Sequence, residues 1–120
     1  MLQSAVREEF YDSVRVFWLD ADDVTSVLKE RAHGLVASGC ADKVILFGSL
    51  AEGRAVPGSD ADILVLVPCG REDEGDLFDE ISRHFAGIGV PVDLFVLGVE
   101  DRKNPLARVA MERGIVLASR

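Results

Sequence analysis

Apolar residues fall along this chain in two rhythms. In short runs they are continuous or alternating; between the runs they recur every three or four positions. Val14, Val16 and Trp18 alternate with Ser13, Arg15 and Phe17, which predicts a strand over 13–18. Val24, Val27, Leu28, Leu35 and Val36 share one helical face, with Asp20 or Asp22 as cap and Gly39 as the stop. His33 falls on the polar face of that helix and is expected in solvent. Apolar runs at 43–47 and 61–67 have strand length. Leu77, Phe78, Ile81 and Phe85 form the buried stripe of a second helix, capped by Asp73 or Asp76. His84 lies on the same stripe and is expected as a core histidine satisfied by one hydrogen bond. A third apolar run covers 92–97. Asn104-Pro105 then opens a helix whose Leu106, Val109 and Ala110 pack inward and which ends at Gly114. Ile115 to Ala118 reads as a final short strand. Residues 1–11 carry no clear rhythm, and a short helix and a mobile arm are both open there.

Strands alternating with helices predict an α/β fold: a central mixed sheet with helices packed on it. At 120 residues the chain is expected to be one domain, 1–120. That length buries roughly two-thirds of the unfolded surface. Apolar content of 48% and charged content of 28% are ordinary for a soluble globular protein. No run has the length of a membrane span, and Arg7, Glu8 and Glu9 interrupt the place where a signal peptide needs an apolar core. A cytoplasmic location is therefore expected. Cys40 and Cys69 lack ligand spacing and read as reduced thiols. The net charge of −8 leaves the basic residues scattered among more acids. That argues against a surface tracking a nucleic-acid backbone and suits a basic protein partner.

Chemistry concentrates in 44–67. The run Val44-Ile45-Leu46-Phe47 stops at Gly48-Ser49, and Asp60 and Asp62 stand at the mouth of the run Ile63 to Val67. Residues two apart on a strand share a face, so the two carboxylates lie side by side. Close carboxylates repel, and burying either is costly. A divalent cation removes both objections, and oxygen ligands suit Mg²⁺. The plain alternative is a solvated turn. Gly48 lets backbone approach a ligand, and Ser49 opens a short helix whose N–H groups and hydroxyl can hold phosphate oxygens. Asp93 is the one polar residue in its apolar run. It is at an exposed strand end, paired with a base, or on a metal.

Gly48, Ser49, Gly53, Ser59, Asp60 and Asp62 together resemble the signature of the nucleotidyltransferase superfamily that includes DNA polymerase beta, and within it the minimal nucleotidyltransferases. Asp93 fits that family's third carboxylate, and the resemblance covers residues 12–120. It implies the polymerase beta-like fold, with an antiparallel pairing that brings Asp93 beside Asp60 and Asp62. One departure is visible: the family commonly has Ala-Arg-Gly in the turn, whereas this chain has Ala51-Glu52-Gly53 with Arg54 one place later. The departure touches a phosphate contact from that side chain, not the metal site.

The resemblance implies an enzyme that transfers AMP from ATP to an acceptor hydroxyl. Two Mg²⁺ ions about 4 Å apart would clamp the attacking and leaving oxygens. Asp60, Asp62 and Asp93 are the implied catalytic and metal-binding residues; Gly48, Ser49 and Ser59 are the implied nucleotide-binding residues. It also implies a partner: a small helical HEPN-type ribonuclease toxin, for which this chain would be the antitoxin and protein adenylyltransferase. An antitoxin that neutralises its partner by contact, with a vestigial metal site, is the alternative, and Glu52 leans towards it. A small-molecule adenylyltransferase acting as a homo-oligomer is a third reading. Homo- and hetero-oligomers are both open.

Overall fold

The computed structural model describes residues 6–11, 14–19, 21–53, 60–68, 74–88, 90–101 and 103–120, with side chains from residue 23 onward. Ten elements follow in order: β1 (Val6–Tyr11), β2 (Val14–Leu19), α1 (Ala21–Ala37), β3 (Lys43–Phe47), β4 (Ala61–Val67), α2 (Gly75–His84), β5 (Val92–Gly98), a 3-10 turn at Val99–Asp101, α3 (Pro105–Arg113) and β6 (Ile115–Ser119).

Four strands make the central sheet, in the order β5-β4-β3-β6. The strands β3 and β4 are antiparallel, as are β3 and β6, while β4 and β5 run parallel. The sheet is mixed and the fold is the expected α/β class. The pairing of β4 with β5 corrects the antiparallel arrangement that the resemblance implied. Helix α2 carries the chain from the end of one strand back to the start of the other, and such a crossover leaves two neighbours parallel.

Both faces of the sheet are covered, which is why β3 and β4 are apolar on both sides. On one face Val44, Leu46, Ile63, Val65 and Leu117 pack against Val24, Leu28 and Leu35 of α1 and against Leu77 and Ile81 of α2. On the other, Ile45, Phe47, Leu64 and Leu66 meet Ala107 and Ala110 of α3. Small residues let α3 sit close. Gly114 ends that helix in extended backbone, and a Cβ there would meet Leu46 O at 2.7 Å and Ile45 Cγ2 at 2.6 Å. Asn104 caps α3 as expected, its Oδ1 accepting from Leu106 N at 2.9 Å. Gly39, at φ +84°, ends α1 with its N–H on Val36 O.

Several details differ from expectation. Val6–Tyr11 is a strand rather than a short helix, and it pairs antiparallel with β2 in a two-stranded sheet of its own. The predicted strand at 13–18 therefore exists but lies outside the central sheet. Glu74 occupies the α2 cap position and makes no side-chain cap bond; Asp76 lies inside the helix, and Asp73 is outside the described residues. Phe78 and Val109 face solvent at 45% and 48% exposure. Their neighbours Leu77, Ile81, Ala107 and Ala110 already fill the space beneath those helices. His84 is half-buried, with Nδ1 3.1 Å from Glu80 O, and His33 is exposed as expected. Cys40 is a buried free thiol, and Cys69 is outside the described residues. Among the described residues, no helix is long and apolar enough to cross a membrane.

Candidate active site

Three strand ends converge where β3 stops and β4 and β5 begin. The register pairs Phe47 with Asp62, and Asp62 with Asp93. Ile63 and Val65 turn towards α1 and α2, so Asp62 belongs to the opposite face with Leu64 and Leu66. Leu94 and Val96 pack on the α1 and α2 side, which puts Asp93 on the same face as Asp62. Adjacent strands lie about 4.8 Å apart, so these are neighbouring carboxylates. Asp60 precedes β4 and is exposed. The two rings of Phe47 and Phe95 meet across β4, with centroids 5.6 Å apart and tilted by 53°. They give the carboxylates an apolar floor.

Gly48 is held by two separate demands. Its φ of +81° is a conformation that side-chain-bearing residues rarely adopt. A Cβ at that position would collide with Asp62 Oδ2. The glycine therefore makes room first for a carboxylate of the chain itself. The following residues form a single turn closed by Glu52 N donating to Gly48 O at 3.1 Å. Among the described residues, the helix expected to open at Ser49 is a single turn, and Ser49 and Glu52 both lie in it.

Burial raises the Asp62 carboxyl above the usual aspartate range, and the negative charges of Asp93 and Asp60 raise it further. Among the described residues, no basic side chain pairs with Asp62 or Asp93. Of the expected site residues, Gly48, Asp60, Asp62 and Asp93 come together at this edge and Ser49 stands in the adjoining turn. Ser59 lies outside the described residues. Sequence reasoning missed the aromatic floor. Its signal was present in the two-residue spacing of Asp93 and Phe95, which puts both on one face.

The profile of the family described as nucleotidyltransferase domain matches residues 35–117 of this chain. That span contains every strand of the central sheet except the last residues of β6, and all of the gathered carboxylates. The chain belongs to the nucleotidyltransferase domain family. A crystal structure from Sulfolobus solfataricus, of a protein described as a candidate nucleotidyltransferase, superposes on this member with a TM-score of 0.55. The two are 24% identical, over 83% of this chain and 87% of that one, a likeness of fold. No curated protein matches the sequence.

Family membership implies a nucleoside triphosphate and a divalent metal. Among the described residues, no three His, Cys, Asp or Glu side chains are gathered tightly enough to form a ready cage for an ion. The donor chemistry nevertheless fits. The groups are all carboxylate oxygens, they come from adjacent strand starts, and their mutual repulsion is what a hard cation relieves.

Proposed function

We propose that this nucleotidyltransferase moves AMP from Mg-ATP to a hydroxyl of a partner protein, and that it serves as the antitoxin of a HEPN-type toxin. The observation that carries the transfer reading is the register match of Asp62 with Asp93 on parallel strands, with Gly48 shaped to admit the Asp62 carboxylate. The antitoxin role rests on the resemblance to the minimal nucleotidyltransferases.

In this reading Asp60 and Asp62 hold the metal-bound triphosphate, and Asp93 holds the acceptor side. Mg²⁺ when bound would supply charge neutralisation for the triphosphate and lower the pKa of the acceptor hydroxyl. The acceptor oxygen forms a bond to the α-phosphorus, the bond to the pyrophosphate oxygen breaks, and the hydroxyl proton leaves to water. Gly48 and Ser49 hold the departing pyrophosphate, and Ser59 is a further nucleotide-binding residue in this reading. The chain's own contribution is positioning and preorganised charge.

The non-catalytic antitoxin is the second reading, favoured by Glu52 in the turn where the resemblance expects Arg. Mass spectrometry of a co-purified helical partner separates the two. An added AMP on the partner that disappears with Asp93→Asn supports transfer. Neutralisation of the partner without any added mass sinks it.

A further inference from the structure

Strand β5 has β4 on one side and, among the described residues, no strand on the other. Alternate residues of a strand turn their backbone groups to opposite sides. Pro91 O accepts from Ala61 N of β4 at 2.8 Å. Asp93 and Phe95 follow that parity towards β4, and Val92, Leu94 and Val96 turn their N–H and C=O groups to the open edge. This edge borders a cleft of about 460 Å³ between β5 and α2. Phe78, Ser82 and Phe85 of α2 form one wall, and Val92, Asp93 and Leu94 form the other. Phe78 is 45% exposed at the cleft and Phe95 36% exposed on the far face of β5, so apolar surface brackets the edge on both sides. The exposed charges of α2 are Asp76, Asp79 and Glu80 against Arg83, so that helix carries a net negative charge, in a chain of net charge −8.

We propose that an extended, basic polypeptide segment adds to β5 as a further strand and presents a side-chain hydroxyl beside Asp93. The inference deepens the proposed transfer to a protein hydroxyl and rests on it. An unpaired edge with an adjoining apolar groove is the setting for strand addition. Side chains of the added strand alternate. One set enters the cleft against Phe78, Val92 and Leu94, and the other stands on the face of Asp93 and Phe95. The segment is therefore an apolar–hydroxyl–apolar triplet with lysine or arginine beyond it. A sugar or aminoglycoside would need several polar wall groups, and Ser82 and Asp93 are the polar side chains the walls supply. A second copy of this chain would bring two Asp93 carboxylates and two acidic α2 helices together, which like-charge repulsion opposes.

The test is selection of short random peptides displayed on phage, followed by binding of the winning synthetic peptides by fluorescence anisotropy. Enrichment of basic peptides carrying the triplet is expected. Phe78→Asp should weaken them about tenfold or more, with Phe78→Ala intermediate, while Val109→Asp on the opposite face leaves them unchanged. The backbone amides of Val92, Leu94 and Val96 should shift in nuclear magnetic resonance spectra. No enrichment, acidic winners, or undiminished binding to Phe78→Asp would overturn the proposal. So would a dimer of the free chain that Phe78→Asp dissolves. Mg-ATP affinity, measured on the same samples, keeps the two levels apart. If peptides bind at this edge and Mg-ATP does not bind at all, the transfer reading fails and the docking surface stands.

Discussion

The two ends of the sheet treat acidic residues in opposite ways. At one end Asp42 takes a hydrogen-bonded ion pair from Arg120 at 2.9 Å, while its N–H donates to Leu66 O and its C=O accepts from Arg120 N. The carboxylate, N–H and C=O of Asp42 all have protein partners there, and the arrangement ties β6 to the start of β3. At the other end Asp62 sits among carboxylates, against a glycine that was left bare to admit it. The first acid is answered within the fold. The second leaves negative charge without a basic partner among the described residues where two strands begin, the kind of setting in which functional sites concentrate.

The largest test removes the uncompensated charge. Changing Asp60 and Asp62 together to Asn should abolish the metal-dependent part of ATP binding, which EDTA should abolish in the unaltered chain. Calorimetry that finds ATP affinity unchanged in the double variant would end the metal-site reading. A narrower cut is Asp93→Asn. It should keep most Mg-ATP affinity and lose transfer by on the order of a hundredfold or more, as when one electrostatic element of a transition state is removed. Surviving transfer would remove Asp93 from catalysis, and collapse of ATP binding would contradict the division of labour between the carboxylates.

Smaller effects concern stability. Gly48→Ala forces a side chain into the left-handed region and against Asp62, with a strain cost of about 1–2 kcal/mol from the backbone alone. A denaturant melt in EDTA should show the loss, and a loss absent there would mean the close approach does not form in solution. Asp62→Asn should do the reverse of an ordinary buried-acid mutation. A carboxyl whose folded pKa is raised binds protons more readily folded than unfolded. The metal-free chain therefore loses stability as pH rises from the unfolded value of 3.8 through the raised folded value. Asparagine removes that penalty, so the melting temperature without Mg²⁺ should hold or rise at neutral pH. Asp42→Asn should lower it slightly, because Arg120 is 64% exposed and such pairs contribute roughly 0–1 kcal/mol. Matching responses at the two positions would erase the contrast between the two ends.

Much of this was legible in the sequence. Apolar runs of strand length fixed β3, β4 and β5 to within a residue, and Gly39, Asn104 and Gly114 marked helix ends through the backbone chemistry peculiar to each. Asp60, Asp62 and Asp93 could be grouped before any coordinates. Relative direction could not, because period-two alternation looks the same in parallel and antiparallel neighbours; the α2 crossover decides it. Burial of individual stripe residues also escaped. Phe78 and Val109 have the spacing of core positions, but how much room a helix leaves beneath it depends on the neighbours it meets. Strand β1 was hidden because Arg7, Glu8 and Glu9 break its apolar alternation, and only its pairing with β2 reveals it.

The parallel pairing of β4 and β5 has a consequence in time. Its partners are separated in sequence by the whole of α2, so this contact closes a longer loop than the neighbouring β3–β4 pairing, and longer closures form later. Asp62 and Asp93 therefore meet after β3 and β4 have paired. Their repulsion then falls on the native state more than on the folding transition state. It should act by hastening unfolding, with little slowing of folding. Stopped-flow unfolding of Asp62→Asn in EDTA should accordingly show a slower unfolding limb beside an unmoved folding limb. A faster folding limb instead would mean the carboxylates already face each other at the transition state.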